Sequence, residues 1–371
     1  MKQLTAHNED QAGELAAKPA SKAPGPGSVQ LIGRRPLLKA LAASPLLPAE
    51  WVKPVIEVGQ LPVHALISPP PVFERLLAYV TNYADDTVSV IAPASQRVVA
   101  TIDVGHGPLG VAVSPDGRQV YVANGLDDTV SIIDPVNNRV VATVPVVGHS
   151  PIRLAVHPAG TRIYVTNFVD NSPVSVIDTA SHSEVATVPV GRVPFGVTIS
   201  PDGLRVYVVV QSDRLVAVID TTSHSVVATI PVGVSPVDVA VSPDGRWVYL
   251  TDGFASNTVS VIDTASHSLV ATIPVGNFPV FVAVNLAGTR LYVTNQADDS
   301  VSVIDASGNN VVTTIPVGHE PGDVAVTPAG AQVMVVNQSD QTVSVIDTAS
   351  NTVVATIPVG NTPFGVAIGM A

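Results

Sequence analysis

The chain has 371 residues, a formal net charge of −12, no cysteine and a mean hydropathy of +0.39. Disulfides, thiol nucleophiles and cysteine-anchored haem are thereby excluded, and no uncharged apolar run reaches the roughly 18 residues of a membrane-spanning helix. All five lysines lie in the first 53 residues, and residues 66–371 carry 11 arginines against 25 acidic residues. That balance disfavours nucleic acid as a partner, because binding a phosphate backbone needs a surplus of Lys and Arg.

In chain order, residues 1–30 are rich in Ala, Pro, Gly, Lys and Glu and read as disordered. Residues 31–65 contain Gly33-Arg34-Arg35-Pro36-Leu37-Leu38-Lys39 followed by ALAASPLLPA. This stretch resembles a twin-arginine export leader, with Val63-His64-Ala65 as a small-residue cleavage site, and the resemblance implies a periplasmic or cell-surface protein. Residues 66–75 read as a linker.

From residue 76 the chain is repetitive. A glycine recurs at Gly105, Gly148, Gly191, Gly233, Gly276, Gly318 and Gly360, at intervals of 42 or 43 residues, each closing a run like ATIPVG. Such a period marks a repeat architecture. Each unit holds four pulses of β-branched and apolar residues separated by turns of two to five residues, such as the SPDG segments at 114–117, 200–203 and 242–245. Short turns permit only antiparallel neighbours, so one unit is a four-stranded meander of inner, second, third and outer strands. The pulses are apolar on both faces, as expected of sheets stacked around an axis.

Counting strands predicts closure. Second strands fall at 77–82, 120–124, 162–167, 205–210, 247–251, 290–295 and 332–337, and inner strands at 109–113, 152–156, 195–199, 237–241, 280–284, 322–326 and 364–368. The last inner strand has no blade of its own and is expected to pair with 77–82, giving an all-β, seven-bladed propeller over residues 76–371 without an open edge. Residues 56–69, IEVGQLPVHALISP, match the same template and are a competing source for that strand.

The second strands read AYVTN, VYVAN, IYVTN, VYVVV, VYLTD, LYVTN and VMVVN. With TVSVID and VVATIPVG, they resemble the YVTN-type β-propeller repeat family. The resemblance implies a seven-bladed, mostly extracytoplasmic fold without one shared activity, within a wider set that includes lactonases and redox or haem-carrying domains. The repeating Tyr79, Tyr121, Tyr164, Tyr207, Tyr249 and Tyr292 read as packing, their hydroxyls meeting backbone or water, and Asp134, Asp178, Asp220, Asp263, Asp305 and Asp347 as turn residues. His182, His224 and His267 share one turn position and read the same way.

Candidate functional residues are those that break the repeat where the outer-to-inner and second-to-third loops surround the channel mouth. Arg153, Asp238 and Asp323 lie two residues after the recurring proline and are expected near the axis. A binding face would use them with Arg192, Phe254, Phe278, Phe281 and Glu320 to engage a protein, glycan or small ligand. A metal-assisted hydrolase or lactonase would instead use His106, His149 and His319 with Asp323 or Glu320. Simple solvated loops are the third reading. The preferred expectation is a monomeric binding or scaffolding module with no cofactor, the hydrolase being the alternative.

Overall fold

In the computed structural model, which describes residues 76–253 and 256–371, 28 strands form seven four-stranded sheets. Blade 1 is ordered Pro363–Met370, Leu76–Asn82, Thr87–Ala92, Arg97–Asp103. The ring is therefore closed by the last strand, with Tyr79 opposite Ala367 and Val80 opposite Val366. The export-leader segment, the linker and the competing residues 56–69 lie outside the described residues. Blades 2 to 7 begin with inner strands Pro108–Val113, Pro151–Val156, Pro194–Ile199, Pro236–Val241, Pro279–Val284 and Pro321–Val326. Each includes the recurring proline, one residue before the predicted start, since a strand's first position tolerates a missing N–H. Among the described residues no helix is long and apolar enough to cross a membrane.

Blades stack face to face, which is why the strands are apolar on both sides. Tyr79, Val88 and Val90 of blade 1 pack with Val111, Val120 and Val122 of blade 2. Each fully buried valine of this kind contributes roughly 1.5–3 kcal/mol. The YVTN signature divides the remaining work. Its tyrosine fills the interblade core, and Tyr79 and Tyr121 are fully buried. Its threonine ties blades together: Thr166 Oγ1 donates to the Phe195 carbonyl of the next blade at 2.5 Å, and Thr251 Oγ1 to that of Val280 at 2.9 Å. Its asparagine binds the third strand, Asn82 Nδ2 donating to Thr87 and Ser89 at 2.9 Å each.

The turn aspartates act as expected: Asp178 Oδ1 accepts from the backbone N–H groups of Ala180 and Ser181. The tyrosine hydroxyls are not paired alike. Tyr121 donates to the side-chain carbonyl of Gln119 at 2.6 Å, while the buried hydroxyls of Tyr79 and Tyr164 have no partner. His182, His224 and His267 adopt φ of 51°, 50° and 53°, the left-handed conformation that Asn138, Asn309 and Asn351 hold in other blades. Histidine and asparagine are both enriched there, which accounts for the exchange. At the rim, every third-to-outer pairing slips by one residue. The bulge blunts an otherwise exposed strand edge.

Candidate functional site

The axis and the surrounding loops form two distinct zones. At the axis, the position two residues after the proline alternates between glycine and large side chains. Glycine is required where inner strands crowd: a Cβ on Gly110 would lie 2.6 Å from the Ile152 carbonyl oxygen, and one on Gly365 2.5 Å from that of Leu109. The other blades supply Arg153, Asp238, Phe281 and Asp323, and the structure brings all four together. Arg153 donates to both oxygens of Asp323, at 2.8 and 3.1 Å. Its guanidinium lies 3.9 Å from Asp238 and 4.2 Å over the Phe281 ring. Phe281 in turn meets Phe364 edge-on at 5.9 Å.

Backbone donors complete the cluster. The Val366 N–H donates to Asp323 at 3.1 Å and the Val282 N–H to Asp238 at 3.2 Å. The Arg153 and Asp323 side chains are each only 11 % exposed. Burial opposes the guanidinium charge, but Asp323 and Asp238 outweigh it and hold the Arg153 pKa above its ordinary value. Burial pushes Asp238 up to about 6, with Arg153 pulling against the shift and Asp323 adding to it. The cavity here holds about 130 Å³ and is lined by Gly110, Arg153, Asp238 and Asp323 among others.

The surrounding loops use a two-carboxylate grammar. In five blades an Asp of the second-to-third loop caps its own blade: Asp127 accepts from the His106 N–H at 2.6 Å, and Asp340 from that of His319 at 2.8 Å. A second reaches the next blade, Asp86 accepting from the Gly107 N–H and Asp299 from the Glu320 N–H, both at 2.9 Å. The histidines belong to this network rather than to a common centre. His106 Nδ1 bonds Asp127 at 2.9 Å, His319 Nδ1 bonds Asp340 at 2.9 Å and His149 Nδ1 bonds Asp128 at 2.8 Å. Hydrogen bonds to Asp127 and Asp340 raise the pKa of His106 and His319. Among the described residues no group of three or more His, Cys, Asp or Glu is placed to hold a metal ion.

The remaining sequence candidates also sit on this rim. Arg192 Nε donates to Asp213 at 2.7 Å, and Ser339 Oγ donates to Glu320. Phe278 holds φ 55° and its N–H donates to Asn257 Oδ1 at 3.1 Å. Phe254 lies outside the described residues. Sequence reasoning missed the apolar side chains between these loops. Leu126 is 67 % exposed, and Phe168, 39 % exposed, meets Phe195 edge-on at 5.3 Å. Their signal was available, since Phe168 stands where blades 4, 6 and 7 carry Gln211, Gln296 and Gln338, and Leu126 where they carry the smaller Ser212, Ala297 and Ser339.

Comparison with known proteins follows from this geometry. Residues 159–366, more than half of the chain, match the family model described as Cytochrome D1 heme domain. The chain belongs to that family. Residues 37–166 match a second model, described as YNCE-like beta-propeller. No curated protein sequence matches. Among solved structures, hydrazine synthase of Kuenenia stuttgartiensis is similar at 24 % identity and TM-score 0.68, over 73 % of this chain and 92 % of that one. A candidate 6-phosphogluconolactonase from Bacteroides uniformis is similar at 17 % identity and TM-score 0.68, over 80 % and 99 %. Dihydro-heme d1 dehydrogenase NirN, in complex with DHE, is similar at 21 % identity and TM-score 0.58, over 76 % and 63 %. Identities this low show the shared propeller alone.

Haem, which the family's description implies, does not fit the axial cavity or the channel mouth. An axially ligated haem needs a broad apolar cleft with an axial side chain, whereas ligand pockets of even ordinary size hold about 300–1,000 Å³. The axial cavity is far smaller, its one guanidinium is bound to Asp323, and the mouth histidines sit among carboxylates that would repel propionates.

Proposed function

We propose that the chain is a binding propeller whose channel-mouth face engages a partner segment carrying apolar and basic side chains. One observation carries the reading: exposed Leu126 and Phe168 lie among loops lined with aspartate, including Asp85, Asp86, Asp127 and Asp128. The axial cluster beneath them is a buried clamp that keeps this face rigid. The expected recruitment site is extracytoplasmic, in keeping with the leader-like N-terminal sequence. Capture from an extract of the source cells, with wild type beside a Leu126→Ser/Phe168→Ser variant, tests it. A partner recovered by wild type, lost by the folded variant and released by salt supports the reading. Equal recovery by both refutes it.

A second reading, hydrolysis of a lactone or related ester at the axis, is favoured by Asp238, whose raised pKa suits a general base near neutral pH. The similar solved propellers named as enzymes lend it weight that the binding reading does not receive from comparison. Lactone turnover by wild type that disappears in Asp238→Asn would establish it over the first.

A further inference from the structure

We propose that the groove between blades 5 and 6, on the face opposite the channel mouth, binds a neutral pyranoside. The groove encloses about 760 Å³ and is lined by Asp244, Trp247, Tyr249, Thr289, Arg290 and Ser307 among others. One departure from the repeat sets it apart from the similar groove between blades 4 and 5. Two residues before the recurring tyrosine, blades 3, 4 and 6 place Arg162, Arg205 and Arg290, each paired with the aspartate that ends the third strand. Blade 5 has Trp247 there instead, with Arg246 stacked 4.8 Å over its ring.

The turn that overhangs the preceding blade's tyrosine carries histidine in blades 3, 4 and 5 and asparagine in blades 2, 6 and 7. His182 of blade 3 bonds Gln119 at 3.1 Å, and His224 of blade 4 lies 6.2 Å from the Tyr164 ring. Blade 6 has Asn309 at that position, and the groove is open there as it is beside His267 of blade 5.

The tryptophan leaves the Tyr249 hydroxyl without an acceptor, as arginine leaves that of Tyr164 in blade 3. Gln119 accepts from Tyr121 in blade 2, but an indole has no acceptor to offer. Tyr249 is 1 % exposed and lines the groove, and its hydroxyl makes no hydrogen bond among the described residues. The charged walls are compensated, Asp305 by Arg290 and Asp244 by the Arg246 N–H at 3.1 Å. An uncharged ligand with one C–H face for the indole and hydroxyls for Tyr249, Asp244 and Ser307 matches this set. The neighbouring groove between blades 4 and 5, about 630 Å³, has Arg205 and His267 and no indole.

The site is independent of the mouth-face reading and stands or falls separately. The test titrates the full chain with maltose, cellobiose and N,N′-diacetylchitobiose by calorimetry. It repeats the titration for Trp247→Arg, which restores the residue of blades 3, 4 and 6, and for Trp247→Gln, which restores the residue of blades 2 and 7. Saturable binding of at least one sugar, weakened fivefold or more in Trp247→Arg, is expected. Absence of saturation with all three up to about 10 mM, which corresponds to a free energy weaker than about 3 kcal/mol, overturns the proposal. So does binding that the variant weakens less than fivefold. Should Trp247→Arg fail to fold, Trp247→Gln decides by the same threshold.

Discussion

Arg153 and Asp323, 170 residues apart in the chain, meet across the propeller axis through two hydrogen bonds of 2.8 and 3.1 Å. This contact joins blades 3 and 7, and its two halves are buried together. Removing one partner would strand the other charge in a site that water barely reaches. Arg153→Met and Asp323→Asn are each expected to cost about 3–5 kcal/mol. The double variant should cost clearly less than the two combined, as measured by urea unfolding at pH 7.5. Additive losses would show that the pair acts independently.

Asp238 gives the clamp a pH dependence of its own. Its pKa rises from 3.8 to about 6 on folding, chiefly through burial. The folded state therefore holds this proton more tightly than the unfolded chain. The resulting stabilisation is complete below about pH 4 and is lost as pH rises through 6, amounting to about 3 kcal/mol. Asp238→Asn mimics the protonated form, so its stability relative to wild type should climb between pH 4 and 7. A difference that stays flat across that window would contradict the assignment.

Asp252 occupies the place that asparagine holds in five other blades. Its Oδ2 accepts from Ser260 Oγ at 2.6 Å, but its buried Oδ1 has no partner, and burial raises its pKa despite the Ser260 and Thr258 hydrogen bonds. An asparagine there could donate to both hydroxyls, as Asn295 does to Ser300 and Ser302. Asp252→Asn should stabilise by about 1 kcal/mol at pH 7.5. The gain should shrink at acid pH, where the native carboxyl is already neutral.

Val193 carries φ of 56° in the loop entering blade 4, where blade 2 has Gly107 at φ 61°. A β-branched side chain in the left-handed region is strained. Val193→Gly should leave the native loop unchanged and raise the thermal midpoint, the relieved strain of about 1 kcal/mol exceeding the added chain entropy. A lower midpoint would show that the packing of the valine outweighs its strain.

The architecture was legible because repetition within one chain substitutes for comparison between chains. A glycine every 42 or 43 residues set the blade count, and the orphan strand at 364–368 identified the closing partner. The axial direction of Arg153, Asp238 and Asp323 followed from strand alternation. That the three bond each other did not, because sequence spacing is silent on contacts across a ring. His106, His149 and His319 looked like a shared set for the same reason. Each is instead bound to a carboxylate in a loop of its own or of the preceding blade. Trp247 was overlooked because attention to one face hid a break in the repeat on the other.

The pairing of Leu76–Asn82 with Pro363–Met370 means that the beginning and end of the propeller share one sheet. In a ring joined this way no blade is inherently first. New termini opened in another blade's loop, with the present ends linked, would leave every sheet intact. The present position of the seam is thus a matter of where the chain happens to be cut, and circular permutants offer a direct way to learn whether synthesis must finish before any blade is secure.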